Sequence, residues 1–449
     1  MWDEFKIHGR KELEAGEVGR LAPWGMFSTE SSRRSEVHTD DDLRPAFQRD
    51  RDRILHSRAF RRLKHKTQVF VPHLADHPRT RLTHTLEVAQ LARTIARALA
   101  LNEDLVEAIA LGHDLGHTAF GHTGEGVLRK VLSGEVEEVP LPPEVVAQVG
   151  TFKHNYQSLR VVDLLERRYE KPGLDLTDQV REGILKHTGW RVDYDFPLSR
   201  EEGLRLDLPC HLEGQVVAVA DEIAQQTHDL EDGLRVKSVQ LSSVEELDVA
   251  RRVIGAHKNI YETQERRWIR QNILIRGIIQ LFVTDVIQQA ADGLRQLAGL
   301  HQFKNREEFL AVSSYLPRTA IWFSPGVQPL FEGLKNFIYE GIINHPRVNR
   351  QDWRAHKVMV GLFRAFWISP LNLPTYVLLR AREELGFPYL REVAFGRVAE
   401  EVRGRYHTSP GFVRLVTDHL AGMSDRYALE EYRSLEQPGL DQSLTGDLR

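Results

Sequence analysis

The stretch that most limits how this chain can fold runs from Leu111 to Glu125. His113, Asp114, His117, His122 and Glu125 crowd into thirteen residues, spaced by Gly116, Gly121 and Gly124. An apolar helical run, Leu105, Val106, Ile109 and Ala110, leads into them. Those four residues are the helix's buried face, and the helix delivers His113 and Asp114 at its C-terminal end, where Gly116 can help break it. Imidazole and carboxylate together suit a divalent transition metal, magnesium or manganese better than a thiolate site would. The single cysteine, Cys210, lies far away. A helix end that merely caps and solvates would account for one His-Asp pair; five such residues weigh against it.

The rest of the chain must supply a matching scaffold. Its 449 residues are enough for one large or two ordinary domains. A net charge of −4 gives no general attraction to polyanions, although local basic grooves could still bind single-stranded nucleic acid weakly. One cysteine excludes a disulfide framework and fits a reducing, cytoplasmic setting. No uninterrupted apolar run reaches the roughly 18 residues of a membrane helix. Met1–Arg20 is charged and lacks the apolar segment of a signal peptide.

In chain order, residues 1–44 read as an arm, because glycines and a serine-rich run deny it a steady period. From Pro45 the pattern turns helical, with Ile54, Leu55, Phe60 and Leu63 among many arginines. Arg58, Arg61 and Arg62 are either a solvated face or partly turned toward phosphates. Lys66–Pro72 reads as a loop or brief strand, and His73–Pro78 as a loop. Helices follow from Arg81 to about Leu101, from Asn102 as N-cap into His113, from Phe152 until Lys171-Pro172-Gly173, from Thr177 to about His187, and from His211 to Leu230. Residues 244–434 are mostly amphipathic helix, the longest from Trp268 to Leu297, and a polar tail closes the chain at 437–449. Strand signals are scarce, so the fold class is all-α. The division is a core over 45–300 and a C-terminal helical region over 301–436 packed on it.

Asp221 sits in the apolar middle of its helix, and a buried carboxylate needs a partner or a metal. His84, His113, Asp114 and Asp221 come from three helices and could close a ligand set that leaves positions for water and substrate. That pattern resembles the HD superfamily of metal-dependent phosphohydrolases. The blocks Ala59–Leu63, Lys66–Phe70, Thr80–His84, His113–His117, Phe120–Glu125, Ala220–Ala224, Thr227–Leu230 and Gly422–Ala428 resemble, in order, bacterial dGTPase-like deoxynucleoside triphosphate triphosphohydrolases. The likeness runs from about Pro45 to Tyr432.

The resemblance implies an all-α HD-domain core with additional C-terminal helices. It implies a divalent metal (magnesium, manganese or a transition metal such as iron) on His84, His113, Asp114 and Asp221. His122 and Glu125 would stand beside the scissile phosphate, and His154 matches the catalytic histidine of the vertebrate SAM- and HD-domain dNTPase. Arg81 would bind phosphate, His117 would touch phosphate or support the metal ligands, and Gln68 and Asp229 would contact the deoxyribose. Gln225 stands where family members commonly place a tyrosine on the sugar. The implied reaction converts a dNTP to deoxynucleoside and tripolyphosphate, with another HD nucleotide phosphohydrolase or phosphodiesterase as the alternative. The implied assembly is a homo-oligomer, with a hexamer as the suggested size and a dNTP effector between subunits. Chemically, His122 and Glu125 are three apart and face each other on a helix, so Glu125 could orient His122. His187 and His228 read as structural.

Overall fold

The computed structural model describes residues 8–33, 43–68, 79–189, 196, 198, 200–313 and 319–436. Among them no strand forms; Thr67 meets Thr80, and Arg33 meets Thr177, in isolated bridges. The all-α expectation therefore holds. The short-strand alternative at Lys66–Pro72 reduces to the Thr67 bridge, and residues 69–78 lie outside the described ones, as does the tail 437–449.

The N-terminal half carries α1 (Arg10–Arg20), α2 (Ala46–Leu55), α3 (Arg58–Arg62), α4 (Arg81–Ala98), α5 (Glu103–Gly112), α6 (Gly121–Leu132), α7 (Pro143–Val149), α8 (His154–Arg160), α9 (Asp178–Lys186) and α10 (Leu212–Arg235). Then come α11 (Leu241–Glu245), α12 (Asp248–Ala256), α13 (Lys258–Glu262), α14 (Arg267–His301), α15 (Arg306–Val312) and α16 (Gln328–Ile338). The C-terminal part is α17 (Pro346–Ile368), α18 (Thr375–Leu385), α19 (Phe395–Glu401), α20 (Pro410–Ala421) and α21 (Asp425–Glu436).

Local chemistry sets the helix starts around the site. Asn102 Oδ1 accepts from the Leu105 amide at 3.2 Å, and Thr177 Oγ1 from the Val180 amide at 3.4 Å, so both expected caps are in place. α4 stops at Ala98, earlier than Leu101, because Ala100 turns left-handed (φ 54°). The helix begun at His154 ends in a wide turn, Val161–Leu165, before Lys171 is reached. α10 instead runs one turn past Leu230, to Arg235. Residues 10–20 form a helix despite Gly16 and Gly19, because tertiary contacts hold them: buried Glu17 accepts from the Ser28 amide and hydroxyl, both at 2.7 Å, and from Asn102 Nδ2 at 3.1 Å.

α4, α5 and α10 pack on one another, with α2 and α9 against α5. Val88, Ala92, Ile95, Leu105, Ile109, Val216, Val217 and Ala220 fill the space between them. The apolar packing crosses residue 300: Phe303, Phe309, Phe323 and Phe331 belong to this first core. The second core joins Val127, Leu128 and Val131 of α6 to Met359, Leu362, Phe363 and Phe366 of α17. α14 is long and apolar enough by composition to cross a membrane. Its apolar seam, Leu274, Ile278, Phe282, Val286 and Ala290, is however buried in the first core.

Candidate active site

The site lies where α4, α5 and α10 meet. His84 enters from the first turn of α4, His113 caps the end of α5, and Asp221 sits mid-α10. His84 Nε2 is 2.9 Å from Asp221 Oδ1, and His113 Nε2 is 3.6 Å from the same oxygen. Donor atoms of these three residues lie within 4.8 Å of one another, a group that could hold a metal ion. Asp114 borders it, with Oδ1 3.4 Å from His113 Nε2. Its other oxygen accepts from Arg81 Nη1 at 2.7 Å, so Asp114 joins the metal cradle to a fixed cation.

Does this cradle suit a cation? His113 Nδ1 donates to the Ala110 carbonyl at 2.6 Å, which leaves the Nε2 lone pair facing the carboxylates, buried and without a hydrogen bond. That is the tautomer a metal ligand needs. Burial opposes a charge on His113, yet Asp114 and Asp221 outweigh it and raise its pKa to about 9. A place that holds even a proton so firmly is built for positive charge. His84 is oriented from behind: its Nδ1 is 3.2 Å from His228 Nδ1, and His228 Nε2 contacts the Glu87 carboxylate. His228 reads from sequence as structural, and orienting His84 is a role of that kind; nothing in the sequence marks Glu87. His228, on α10, reaches both His84 and Glu87 only once α4 and α10 pack together.

A second group of side chains faces the cradle. His117 lies at the turn after α5, its Nδ1 2.9 Å from Asp114 Oδ1, and its ring stacks on His154 with centroids 3.8 Å apart. Neither His117 nitrogen makes a hydrogen bond. Burial and the Arg81 charge hold its pKa well below the usual histidine value, so it stays neutral, with a lone pair to offer. Phe120 and Gly121 both have positive φ (61° and 56°) at the start of α6. A Cβ at Gly121 would come within 2.9 Å of Arg81 Nη2, so glycine lets the arginine approach this turn.

α6 then presents His122 at the open mouth of the site and Glu125 inside it. The i, i+3 spacing suggests that these two pair, but Glu125 bonds to His154 instead. Its Oε2 is 2.8 Å from His154 Nδ1 and accepts from the His154 amide at 3.2 Å. α8 brings His154 closer in direction than His122, which turns outward. Burial works against the Glu125 charge; His154, with His122 beyond it, prevails and holds the pKa at about 2. His122 is open to solvent on one side and crowded on the others, and that crowding, with Arg81 and His154, lowers its pKa.

His187, read from sequence as structural, completes the arrangement. Its Nδ1 donates to the Ile184 carbonyl at 2.7 Å, so its Nε2 is an acceptor, and it stands 3.3 Å from His154 Nε2. Burial and the charges of His113 and His154 depress its pKa to about 3. The two nitrogens of His154 therefore lie between the Glu125 carboxylate and the His187 ring. Gln68 is half-buried, its Oε1 without a partner, and its backbone lies near Gly121. Asp229 is buried two turns after Asp221; burial, then Asp232, raises its pKa well above the usual carboxyl value, with Arg81 opposing. Gln225 is half-buried between them on α10.

Residues 81–225 match the HD domain, and residues 321–394 match the phosphohydrolase-associated domain. A deoxyguanosinetriphosphate triphosphohydrolase-like protein of Geobacter metallireducens is 36% identical over 435 residues, covering 96% of this chain and 98% of that one. A protein of the same name from Brucella ovis is 37% identical over 428 residues, 92% of this chain and 95% of its own. The chain belongs to the deoxyguanosinetriphosphate triphosphohydrolase-like family. Another such relative, from Bartonella henselae, is 36% identical and covers 88% of this chain. This dGTPase-like HD phosphohydrolase has its His-Asp pair buried at the end of α5.

Proposed function

We propose that this phosphohydrolase cleaves deoxynucleoside triphosphates at the α-phosphorus, releasing a deoxynucleoside and intact tripolyphosphate, with a divalent metal on His84, His113, Asp114 and Asp221. The observation that carries this reading is the juxtaposition of two different tools. A cation cradle (His84, His113, Asp221, bordered by Asp114) lies beside a histidine, His154, held between the Glu125 carboxylate and the His187 ring. A bound divalent ion would lower the pKa of a water and neutralise phosphoryl oxygens.

The remaining work falls to side chains. Cutting on the sugar side expels a 5′-alkoxide, a poor leaving group that must receive a proton. His154, oriented by its hydrogen bond to Glu125, is the donor we assign to that oxygen, and His122 stands at the mouth as its aid. Arg81 holds phosphate oxygens, with the single N–H of neutral His117 as a second donor, so the trailing phosphates depart in one piece. Gln68 and Asp229 seat the sugar, with Gln225 in place of an aromatic contact. In this reading the protein works in the cytoplasm as a homo-oligomer, with a dNTP as effector; light scattering and assays of each dNTP alone and in pairs test those parts.

The deciding experiment is anion-exchange analysis of products from dGTP and the other dNTPs. Tripolyphosphate and deoxynucleoside are expected from the first time point, with ribonucleotides turned over poorly. dGMP with pyrophosphate, or dGDP with phosphate, as initial products would reject the triphosphohydrolase reading and leave another kind of HD nucleotide phosphohydrolase.

A further inference from the structure

A second cavity lies behind the catalytic turn, between α3, α8, α18 and α20. Its volume is about 530 Å³, within the range of small-molecule sites. Arg58, Arg62, Lys66, Arg167 and Arg380 line it against three carboxylates, Glu166, Glu383 and Asp418. The carboxylates are largely committed. Asp418 accepts from Arg160 Nε at 2.8 Å and from Gln157 at 3.0 Å, and Glu166 accepts from the Ala59 amide at 2.7 Å. Arg58 and Arg62, by contrast, make no ion pair among the described residues. They are one helical turn apart and therefore share a face.

An independent observation points to a ligand. His419 lines the cavity, only 5% exposed, and its Nε2 has no hydrogen-bond partner. Its Nδ1 is 2.7 Å from the Tyr376 hydroxyl. When that hydroxyl donates, Nε2 carries the hydrogen and presents a buried donor to the cavity. Burial, followed by the charges of Arg62 and Arg380, lowers its pKa to about 3, so it is a neutral donor there. A buried unpaired donor is costly, and an acceptor in the cavity removes that cost. Leu165, Leu379 and the Tyr376 ring add an apolar wall.

We propose that this cavity is a binding site for a phosphate group, separate from the catalytic centre, held by Arg58, Arg62 and His419. The proposal does not depend on the substrate assigned above. It places an anion beside the reaction turn: Lys66, on the cavity wall, donates from Nζ to the His117 carbonyl and, at 3.0 Å, to the Ala421 carbonyl.

The test is calorimetric titration of inorganic phosphate into the full-length protein at low ionic strength. Wild type, Arg58→Gln/Arg62→Gln and Arg81→Gln are compared. Both cavity arginines are exposed, so the double variant is expected to fold, which a thermal melt checks. Arg81→Gln should retain the cavity class of binding, and the double variant should lose it by about tenfold or more, as removal of charge-assisted bonds implies. The doubly conservative Arg58→Lys/Arg62→Lys variant should recover part of it. Unchanged phosphate affinity and stoichiometry in the Gln variant would overturn the site, as would a wild type whose only phosphate binding vanishes in Arg81→Gln. A deoxynucleoside monophosphate in a parallel titration separates the sources: tighter binding than phosphate marks a nucleotide phosphate, and equal binding marks the phosphate group alone.

Discussion

Asp114 shows how much one side chain can be asked to do. One of its oxygens takes Arg81 and the other faces His113 and His117. Asp114→Ala should lose bound metal and turnover while remaining folded; full metal occupancy by elemental analysis would remove Asp114 from the ligand set. His122→Ala and His154→Ala should keep the metal and lose about 10²–10⁴ in rate, the usual value of a positioned proton donor. Near-wild-type rates in both would move proton transfer elsewhere. Glu125 adds a pH dependence of definite sign. Its folded pKa, about 2, is below the ordinary 4.5. Its contribution is complete above the ordinary value and is lost as pH falls from there toward 2. The stability gap between wild type and Glu125→Gln should therefore be about 3 kcal/mol near pH 6 and shrink steadily in acid. Denaturant melts across that range measure it, and a gap that stays constant with pH would contradict the ion-pair account.

Between elements, the closest fit is the catalytic turn on α8. A Cβ at Gly116 would lie 2.1 Å from the Ser158 amide nitrogen and 2.4 Å from the His154 carbonyl oxygen. Both are backbone atoms, so neither can swing aside. The Gly116 amide already donates to Ser158 Oγ at 2.8 Å, and that hydroxyl donates to the His113 carbonyl at 2.7 Å. Gly116→Ala should push α8, and His154 with it, away from the cradle. The expected cost is about 1–3 kcal/mol, the range for overpacking, with turnover falling more than metal binding. A variant with unaltered melting temperature and rate would mean that the turn and α8 can separate freely.

For the molecule as a whole, the C-terminal part is tied into the site. Asp425, at the start of α21 and buried, accepts from the Thr67 amide and from the Phe120 amide, each at 2.8 Å. One carboxylate thus clasps the segment carrying Gln68 and the turn that launches α6 with His122. Asp425→Ala removes the acceptor of three donors, the Thr67 amide and hydroxyl and the Phe120 amide, and should cost about 1–3 kcal/mol per buried donor at most. It should also depress turnover with metal content intact. Loss of metal without loss of rate-determining positioning would show that α21 supports the cradle rather than the substrate side. Asp418 makes the parallel link from α20 to Gln157 and Arg160 on α8.

Periodicity and caps were legible in the sequence because they are local: Asn102 and Thr177 bond to amides three residues away whatever the rest of the chain does. The His113-Asp114 pair after an apolar helix, with His84 and Asp221 on other helices, pointed to the cradle because residue type alone restricts such chemistry. Tertiary structure decided which side chains meet. Glu125 pairs with His154 rather than His122, His228 and Glu87 orient His84, and His187 faces His154. Asp425 reaches back more than three hundred residues to Thr67 and Phe120. Those contacts depend on how helices cross, and crossing is set by burial summed over whole faces, which no short stretch of sequence records.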